Sequence, residues 1–565
     1  MNKNIFIGLA WPYANGSLHL GHVSAFIGAD VLARYYRLAG DHVLFASGSD
    51  CYGTPIAIAA AERGISPAEI SEKYHAEFKE TLINGLGFTY DIYTKTTTDQ
   101  HTKVVQELFL DLYQKGFLYT KTEKALFSPY LDRFLPDRYV EGVCPKCAFD
   151  GARGDQCDNC GSLLDPLELK NPRINPKILE KNKKLTSEEA QLEVRETEHF
   201  YLKLSALQEQ LTQWVEETSE PWRANARGFT KSFLAGGLHD RAVTRDTEWG
   251  VPVPLPGYET KRIYVWFEAV TGYLSASKLW AEQQGSPDAW KAFWENEAAY
   301  HYYVHGKDNI PFHTIIWPGI LMAKGGLNLP NQIVSSEYLN LEGKQFSTSR
   351  NWAVWLPDFL ASFNADTLRY FLIANGPETG DSNFVWAEYA TVVNGELIGT
   401  FGNLVNRVLS LSAKHFPDGL SFPIELSDKQ TELLKNLELA FGAIGKDIQE
   451  GKFRAALREA FAIAGQANRL IDEQAPWKKI KEEGSRAEVE ADLAVFLQVI
   501  RTLAILINPF LPRTSDTINA CFGFEVSTTW EYPAPLQHYK IEKVEMLFKK
   551  IEDEQIEQAK AKLGS

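Results

Sequence analysis

The first hundred residues alternate between strand-like and helix-like apolar patterns. The run NIFIGLA (4–10) is continuously apolar, and HVSAFIGADVLARYYRLAG (22–40) carries apolar residues at helical spacing as far as Gly40. HVLFASG (42–48) is a second apolar run, and SDCYGTP (49–55) has the composition of a turn before another helix. A strand, a helix and a strand with a glycine-containing first turn predict a doubly wound nucleotide-binding unit.

This alternation breaks between about residues 116 and 225 and then resumes. The later segments that restore it are RIYVWFEA (262–269), YHYYVHGKD (300–308), PFHTIIWPGILMA (311–323) and NQIVSSEYL (331–339). From Trp386 onward apolar residues recur at three and four spacing, which predicts an almost wholly helical region. The pattern therefore indicates a parallel-sheet domain that is split by an insertion and followed by helices.

Composition and charge limit the class of protein and the partners that we expect. The chain has 565 residues, 44% hydrophobic and 23% charged, which is typical of a globular protein of three or four domains. No apolar run approaches the roughly 20 residues that span a bilayer, and the run at 5–11 is too short for a signal peptide. We therefore expect a cytoplasmic protein without a membrane partner. The net charge of −15 argues against a surface coated with nucleic acid but leaves local RNA contacts open.

Four of the six cysteines form a cluster within the insertion. Cys144 and Cys147 make one CxxC pair, and Cys157 and Cys160 make another. Four thiolates give a closed tetrahedral site with no position for a substrate, so we predict one structural Zn²⁺ per chain. Unpaired buried thiols, or iron in a rubredoxin-like knuckle, remain open. The isolated Cys51 and Cys521 are expected to be packed thiols. The predicted fold class is thus α/β, a Rossmann-type doubly wound parallel sheet split by a zinc-knuckle insertion and followed by an all-α helical bundle.

Two histidines lie at the first predicted strand-to-helix turn. His19 and His22 flank Leu20 and Gly21 in HLGH. A helix amino terminus offers backbone N–H groups and a positive dipole end to phosphate. On these residues alone, phosphate binding, metal binding and simple helix capping all remain possible.

HLGH resembles the HIGH signature of class I aminoacyl-tRNA synthetases. The resemblance is strongest to methionyl-tRNA synthetases and covers nearly the whole chain, because several motifs occur in that family's order: PYANGSLHLGH, FASGSDCYGTPI, the double CxxC knuckle, YVWFEAVTGY, HGKDNIPFHTIIWP, GNLVNR and DEQAPW. The resemblance implies activation of methionine by ATP to methionyl-adenylate, followed by transfer to the 3′ end of elongator and initiator tRNA(Met).

The same resemblance implies the domain boundaries. We expect the first half of the Rossmann domain at 1–115, the connective insertion at 116–225 and the second half of the Rossmann domain at 226–325. The stem-contact region with its KMSKS-like loop should follow at 326–385, the α-helical anticodon-binding domain at 386–540 and a carboxy-terminal helix or tail at 541–565. No appended β-barrel is evident, so we expect a monomer.

The resemblance, carried over motif by motif, implies an ATP site to which Mg²⁺ is brought with ATP. Its residues would be His19, Gly21, His22, Gly306, Lys307, Asp308, Gln345, Ser347 and Thr348. His19, His22 and Lys307 would act catalytically on the phosphates. The methionine site would contain Ala10, Trp11, Tyr13, Asp50, Trp266, Val270, Tyr273, Phe312 and His313, with Asp50 accepting the substrate ammonium. A thioether favours aromatic edges, which fits this composition. Trp11 stands where Leu is common in the family, and Val270 where Pro is common.

Anticodon reading would fall to Asn403, Arg407, Pro476 and Trp477, since single-stranded RNA is read by stacking and polar contacts. One motif departs from the family. In EGKQFSTSRN (342–351), the two lysines of KMSKS fall on Gln345 and Thr348. We expect Lys344 or Arg350 to compensate as catalytic cations. A catalytically weak paralogue that binds tRNA or a small molecule as a regulator is the alternative. Synthetases for isoleucine, valine or leucine carry a much larger insertion, and the cysteine enzyme places its zinc in the active site.

Overall fold

The computed structural model describes residues 2–154, 157, 159–160, 164–179, 185–524 and 529–564. Its amino-terminal part supplies three strands and four helices: β1 (Asn4–Leu9), α1 (Leu20–Leu38), β2 (His42–Ser49), α2 (Thr54–Arg63), α3 (Pro67–Lys79), β3 (Ile92–Lys95) and α4 (Asp99–Gln114). The helix α1 begins directly after His19, which is its N-cap residue, and ends just before Gly40.

The insertion and the short strands after it are mostly antiparallel. Their elements are β4 (Leu118–Ser128), β5 (Arg133–Phe134), β6 (Val140–Val143), β7 (Asp150–Arg153), β8 (Lys170–Ile174), β9 (Glu193–Leu202), α5 (Gln208–Thr218), α6 (Ala224–Ala235), β10 (Arg241–Ala242), β11 (Thr244–Asp246), β12 (Val251–Pro252) and β13 (Lys261–Ile263). The strands β4 and β9 pair along almost their whole length. The sheet β7-β6-β8 surrounds a small separate core. That core contacts α2 through Ala57 and Ile58, so the insertion rests on the helix that follows the SDCYGTP turn.

The chain then returns to the parallel sheet and continues into a small mixed sheet. These elements are α7 (Val265–Gln283), α8 (Lys291–Trp294), β14 (Tyr300–Gly306), α9 (Trp317–Lys324), β15 (Gln332–Ser336), β16 (Leu339–Leu341), β17 (Lys344–Gln345), α10 (Leu356–Ser362), α11 (Ala365–Asn375) and β18 (Ser382–Phe384). The parallel sheet therefore continues past residue 325, where we placed the end of its second half, because the apolar strand β15 pairs with β14.

The five parallel strands lie in the order β15-β14-β1-β2-β3. The central strand β1 pairs with β14 on one side and β2 on the other, and all its residues from Ile5 to Leu9 are buried. Helices cover both faces of such a sheet, which is why its strands are continuously apolar. The strand order changes direction between β1 and β14, so a ligand crevice is expected at their carboxyl ends. The predicted Rossmann-type fold with its insertion is confirmed.

From Trp386 the chain is helical, as predicted. The elements are α12 (Trp386–Val392), α13 (Asn403–His415), β19 (Leu420–Ser421), α14 (Asp428–Gln449), α15 (Phe453–Gln474), α16 (Pro476–Lys479), α17 (Arg486–Ile507), α18 (Pro512–Phe522), β20 (His538–Tyr539) and α19 (Asp553–Lys560). A π-helical segment, Val393–Gly402, joins α12 to α13. The buried residues Phe548, Ile551 and Ile556 fix the tail against this bundle. Among the described residues, no helix is long and apolar enough to cross a membrane.

One buried ion pair joins the sheet domain to the helices. Arg369 of α11 and Asp30 of α1 are both fully buried, with Nη2 and Oδ2 2.8 Å apart. The same guanidinium donates to the carbonyl oxygens of Pro509 (3.0 Å) and Phe510 (2.7 Å) after α17. Buried charges need partners of this kind, so the network fixes how the bundle docks on α1.

Candidate active site

The HLGH histidines form a stacked pair at the amino end of α1. His19 Nδ1 accepts the amide N–H of Gly21 (3.1 Å), and His22 Nδ1 accepts the amide N–H of His19 (3.2 Å). The ring centroids are 3.9 Å apart. In a neutral imidazole one nitrogen accepts and the other donates, so both Nε2 atoms carry the hydrogen. The pair therefore presents two N–H donors at the crevice.

Burial keeps these imidazoles uncharged. It lowers the pKa of His19 to about 2, with a further contribution from His22, and it lowers the pKa of His22 to about 4. A Cβ on Gly21 would lie 2.9 Å from the His19 ring, closer than real side chains approach, so glycine is required between the histidines. The two histidines are thus neutral donors at neutral pH, and other groups must supply positive charge.

The KMSKS-like loop packs directly on this pair. The Phe346 ring stacks on the His19 ring with centroids 4.6 Å apart and planes 12° apart. Ser347 and Trp352 exchange two backbone hydrogen bonds of 2.9 Å, which close the loop. Lys344 lies over the Trp352 ring at 4.7 Å, and Arg350 Nε donates to Ser347 Oγ at 3.1 Å. Gln345 and Thr348 are exposed. The loop thus lies against the histidine pair, and both candidate cations make contacts within the loop.

Lys307, just after β14, is held by two carboxylates that sequence reasoning missed. Its Nζ lies 2.8 Å from Glu337 and 2.7 Å from Asp381, and 3.8 Å above the ring of Tyr338. The Tyr338 hydroxyl donates to Asp308. Burial opposes the charge of Lys307, but the hydrogen bonds to Asp381 and Glu337 raise its pKa overall.

No local motif signals this arrangement, because its members come from three separate segments. Gly306 is the last residue of β14, and a Cβ added to it would lie 3.9 Å from Ala25 of α1.

The predicted methionine-site residues come from the ends of β1 and β2, from α7 and from the segment after β14. The backbone N–H of Ala10 donates to the carbonyl of Val304 in β14 (3.0 Å), and the backbone N–H of Asp50 donates to the carbonyl of Pro12 (2.9 Å). The Trp266 and Phe312 rings stack with centroids 3.6 Å apart, and Tyr13 meets Trp266 edge-on at 6.4 Å. These contacts form an aromatic wall beside the crevice.

A second set of these residues is fixed by hydrogen bonds. The Tyr273 hydroxyl donates to His313 Nε2 (2.7 Å), because His313 Nδ1–H is already donated to the Asn309 carbonyl (2.8 Å). Burial lowers the pKa of His313 to about 4, so the imidazole is neutral. Val270 is buried one turn before Tyr273.

Trp11 occupies a slot made by glycines. A Cβ on Gly48 would lie 2.6 Å from the indole, and a Cβ on Gly272 would lie 3.0 Å from it. Both positions therefore have to lack a side chain for tryptophan to fit where the family commonly has leucine.

The four insertion cysteines converge. The Sγ atoms of Cys144, Cys147, Cys157 and Cys160 all lie within 4.8 Å of one another. Cys144 and Cys160 are 3.9 Å apart, and Cys147 and Cys157 are 3.6 Å apart. Tetrahedral coordination at about 2.3 Å requires sulfur–sulfur distances of roughly 3.8 Å. The donor set and its spacing therefore fit a four-thiolate metal site.

The predicted anticodon residues also meet in space. Asn403 and Arg407 lie one turn apart on α13, with Asn403 exposed. Arg407 stacks over the Trp477 ring at 4.9 Å and pairs with Asp472 at 3.0 Å. Pro476 begins α16, which sets the direction of Trp477.

Comparison with known proteins identifies the family of the chain. The family described as "tRNA synthetases class I (M)" matches residues 5–409, and "Anticodon binding domain of methionyl tRNA ligase" matches residues 423–565. A methionine–tRNA ligase of Dehalococcoides mccartyi (strain CBDB1) is 47% identical over 568 residues, covering 100% of both chains. One from Bacillus mycoides (strain KBAB4) is 46% identical over 566 residues, covering 99% of each.

The fold is shared with a solved structure as well. The crystal structure of Mycobacterium tuberculosis methionyl-tRNA synthetase bound by methionyl-adenylate superposes with a TM-score of 0.79 at 24% identity, covering 97% of this chain and 100% of that one. With a family match over most of the chain and relatives nearly half identical from end to end, this chain belongs to the methionyl branch of the class I aminoacyl-tRNA synthetases.

Proposed function

We propose that the chain is a methionine–tRNA ligase that activates L-methionine with ATP and transfers it to elongator and initiator tRNA(Met). One observation carries this proposal: the histidine pair, Asp50 and Phe312 follow the carboxyl ends of the central strands β1, β2 and β14, and Trp266 stacks on Phe312. That arrangement offers donors for phosphate, an acceptor for ammonium and an apolar face for a thioether. No observation in the described part of the chain favours the weak regulatory paralogue.

In the first step, the methionine carboxylate attacks the α-phosphorus of ATP and pyrophosphate leaves. This displacement needs positioning and charge stabilisation rather than a covalent enzyme intermediate. The Nε2–H groups of His19 and His22 donate to phosphate oxygens, and Gly21 allows the nucleotide to approach the backbone. Gly306, Lys307 and Asp308 line the other side of the crevice, and Mg²⁺ enters with ATP.

The amino acid is held by groups of three kinds. Asp50 accepts from the ammonium, while Ala10, Trp11 and Tyr13 follow β1 along the crevice. The thioether lies among Trp266, Val270, Tyr273, Phe312 and His313, with favourable sulfur–aromatic contacts of about 0.3–1.5 kcal/mol each. Because the hydroxyl hydrogen of Tyr273 is already donated to His313, the Tyr273 oxygen presents a lone pair rather than a hydrogen to the pocket.

In the second step, the terminal adenosine hydroxyl of tRNA takes the methionyl group. The insertion would position the acceptor end, and its four cysteines would hold one Zn²⁺ that fixes the knuckle. Arg407 and Trp477 offer a guanidinium and a ring to anticodon bases. We further propose a cytoplasmic monomer. Methionine-dependent exchange of pyrophosphate into ATP, followed by charging of tRNA(Met), tests the proposal as a whole, and absence of exchange would refute it.

The metal site gives a first prediction. Protein purified without chelator should contain about one zinc per chain by elemental analysis, since four converging thiolates bind zinc tightly. Cys157→Ser should release the metal, expose the insertion to proteolysis and weaken charging more than ATP binding. Cys521→Ser, which changes a buried thiol outside the knuckle, should keep the zinc. Metal-free wild-type protein would contradict the assignment.

A second prediction concerns anticodon reading. Stacking on one base contributes roughly 1–3 kcal/mol, so Trp477→Ala should slow charging at least several-fold while pyrophosphate exchange stays near wild type. Trp290→Ala is the matched control, because Trp290 also lies under a cation, Lys278 at 5.0 Å, but outside the helical bundle. An equal loss of exchange and charging in Trp477→Ala would show that the residue does not read tRNA.

The KMSKS-like loop gives a third prediction. Alanine at Lys344 or at Arg350 should slow single-turnover adenylate formation, because one of them replaces the missing lysines at the leaving pyrophosphate. Lys435→Ala, an exposed lysine on α14, is the control. If both variants stay within about threefold of wild type, under ~1 kcal/mol, the loop supplies no compensating charge.

A further inference from the structure

A buried carboxyl with no assigned role lies beside the ammonium acceptor Asp50. Glu268, in the first turn of α7, is 0% exposed, and Asp50 is 3% exposed. Asp50 follows β2 and Glu268 lies in α7. These two elements are close together, because the indole of Trp11 packs against both Gly48 of β2 and Gly272 of α7. Burial, and then the negative charge of Glu268, raises the pKa of Asp50. The two carboxyls therefore compete for ionisation in one desolvated region.

Within the described chain, no lysine or arginine forms an ion pair with either carboxyl, and the only salt-bridge partner of Glu268 is His101. The other ionisable groups that face this region are Tyr13 after β1, Cys51 and Tyr52 after β2, and Tyr264 before α7. The cations that face these groups are Arg138, which acts on Tyr13, Lys95, which acts on Cys51, and Arg262, which acts on Tyr52. Two buried carboxylates without a cation are too costly to be ionised together, so the empty site must hold a proton.

Hydrogen bonds indicate where that proton is. Ser275 Oγ donates to the Gly272 carbonyl (3.1 Å), so its oxygen accepts from His101 Nδ1–H at 2.8 Å. His101 Nε2 then accepts, and the atom 2.8 Å from it is Glu268 Oε2. Burial lowers the pKa of His101 to about 3 and raises that of Glu268.

Asp50, by contrast, accepts from the Tyr52 amide at 3.2 Å, which stabilises its carboxylate. The proton therefore belongs on Glu268. The second oxygen of Glu268, Oε1, is buried and has no hydrogen-bond partner in the described structure. An orphaned buried acceptor of this kind requires an explanation. A donor that arrives with the substrate supplies one.

We propose that Glu268 is the second carboxyl of the ammonium site. When the site is empty, Glu268 holds a proton on Oε2 and donates it to His101 Nε2. When the amino acid binds, that proton leaves to solvent and the ammonium group donates to Oε1; the His101 hydrogen then moves from Nδ1 to Nε2, where it donates to Oε2, and the Ser275 hydroxyl turns to donate to Nδ1. His101 and Ser275 are positioning residues for Glu268. The inference rests on the proposed function, because it takes methionine as the ligand of this site.

Calorimetric titration of methionine in two buffers of different ionisation enthalpy measures the protons released. Wild-type protein near neutral pH should release about one proton per methionine, and binding should tighten as pH rises while the methionine amino group stays charged. Infrared spectra should show a carboxylic-acid C=O band that disappears when methionine is added. These wild-type measurements need no variant to fold.

Glu268→Gln should abolish the proton release and the infrared band and weaken methionine binding roughly tenfold, with the KM for ATP unchanged. Asp366→Asn, which alters an equally buried carboxyl on α11, should change none of these quantities. No proton release from wild type, or wild-type affinity in Glu268→Gln, would overturn the inference. If wild-type protein neither binds methionine nor exchanges pyrophosphate, the proposed function itself fails.

Discussion

The pairing of β1 with β14 is the constraint on which the site depends. The two strands are hydrogen-bonded from Ile5 and Tyr300 to Leu9 and Val304, although the whole insertion lies between them in sequence. Because they are parallel neighbours, their carboxyl ends meet at one edge, and the residues that follow each strand face the same crevice. His19 and Trp11 come from one side, and Lys307 and His313 from the other. Non-local pairing of this kind closes a long loop, so its contacts must offset a large loss of chain entropy.

The elements of the fold that follow from local pattern were predicted well. The apolar spacing of α1, the runs of β1 and β2, and the paired CxxC motifs each carry their structure in adjacent residues. The start of α7 shows the limit of this reasoning. In RIYVWFEA the apolar run extends from Ile263 to Phe267, but only Ile263 of this run belongs to a strand, and the helix begins at Val265. An apolar run does not by itself distinguish a buried strand from a buried helix.

The parts of the site that escaped prediction are contacts between distant segments. The acids that hold Lys307 lie in a strand end and in the turn before β18, and nothing in HGKD announces them. The His101–Glu268 contact joins α4 to α7 in the same way. Trp11 is an intermediate case: the sequence shows an unusually large residue, but only the structure shows that Gly48 and Gly272 make its space. Candidate residues were therefore predictable by motif, whereas their electrostatic partners were not.

The histidine pair and the cations near it contribute differently to the electrostatics of the crevice. The histidine pair is neutral, so it directs hydrogen bonds without contributing net charge. Each cation near the phosphate side already has a partner: Lys307 has two carboxylates, Lys344 an indole ring and Arg350 a hydroxyl. Moving Lys307 away from its two carboxylates costs more interaction free energy than moving Lys344 from its ring or Arg350 from its hydroxyl. The reason is that hydrogen bonds between two charged groups are the stronger contacts. Lys344 and Arg350 are also on the exposed loop, where rearrangement costs least. These contacts support the proposal that the loop cations, rather than Lys307, move onto the leaving pyrophosphate, since Lys307 is held in place by its two carboxylates.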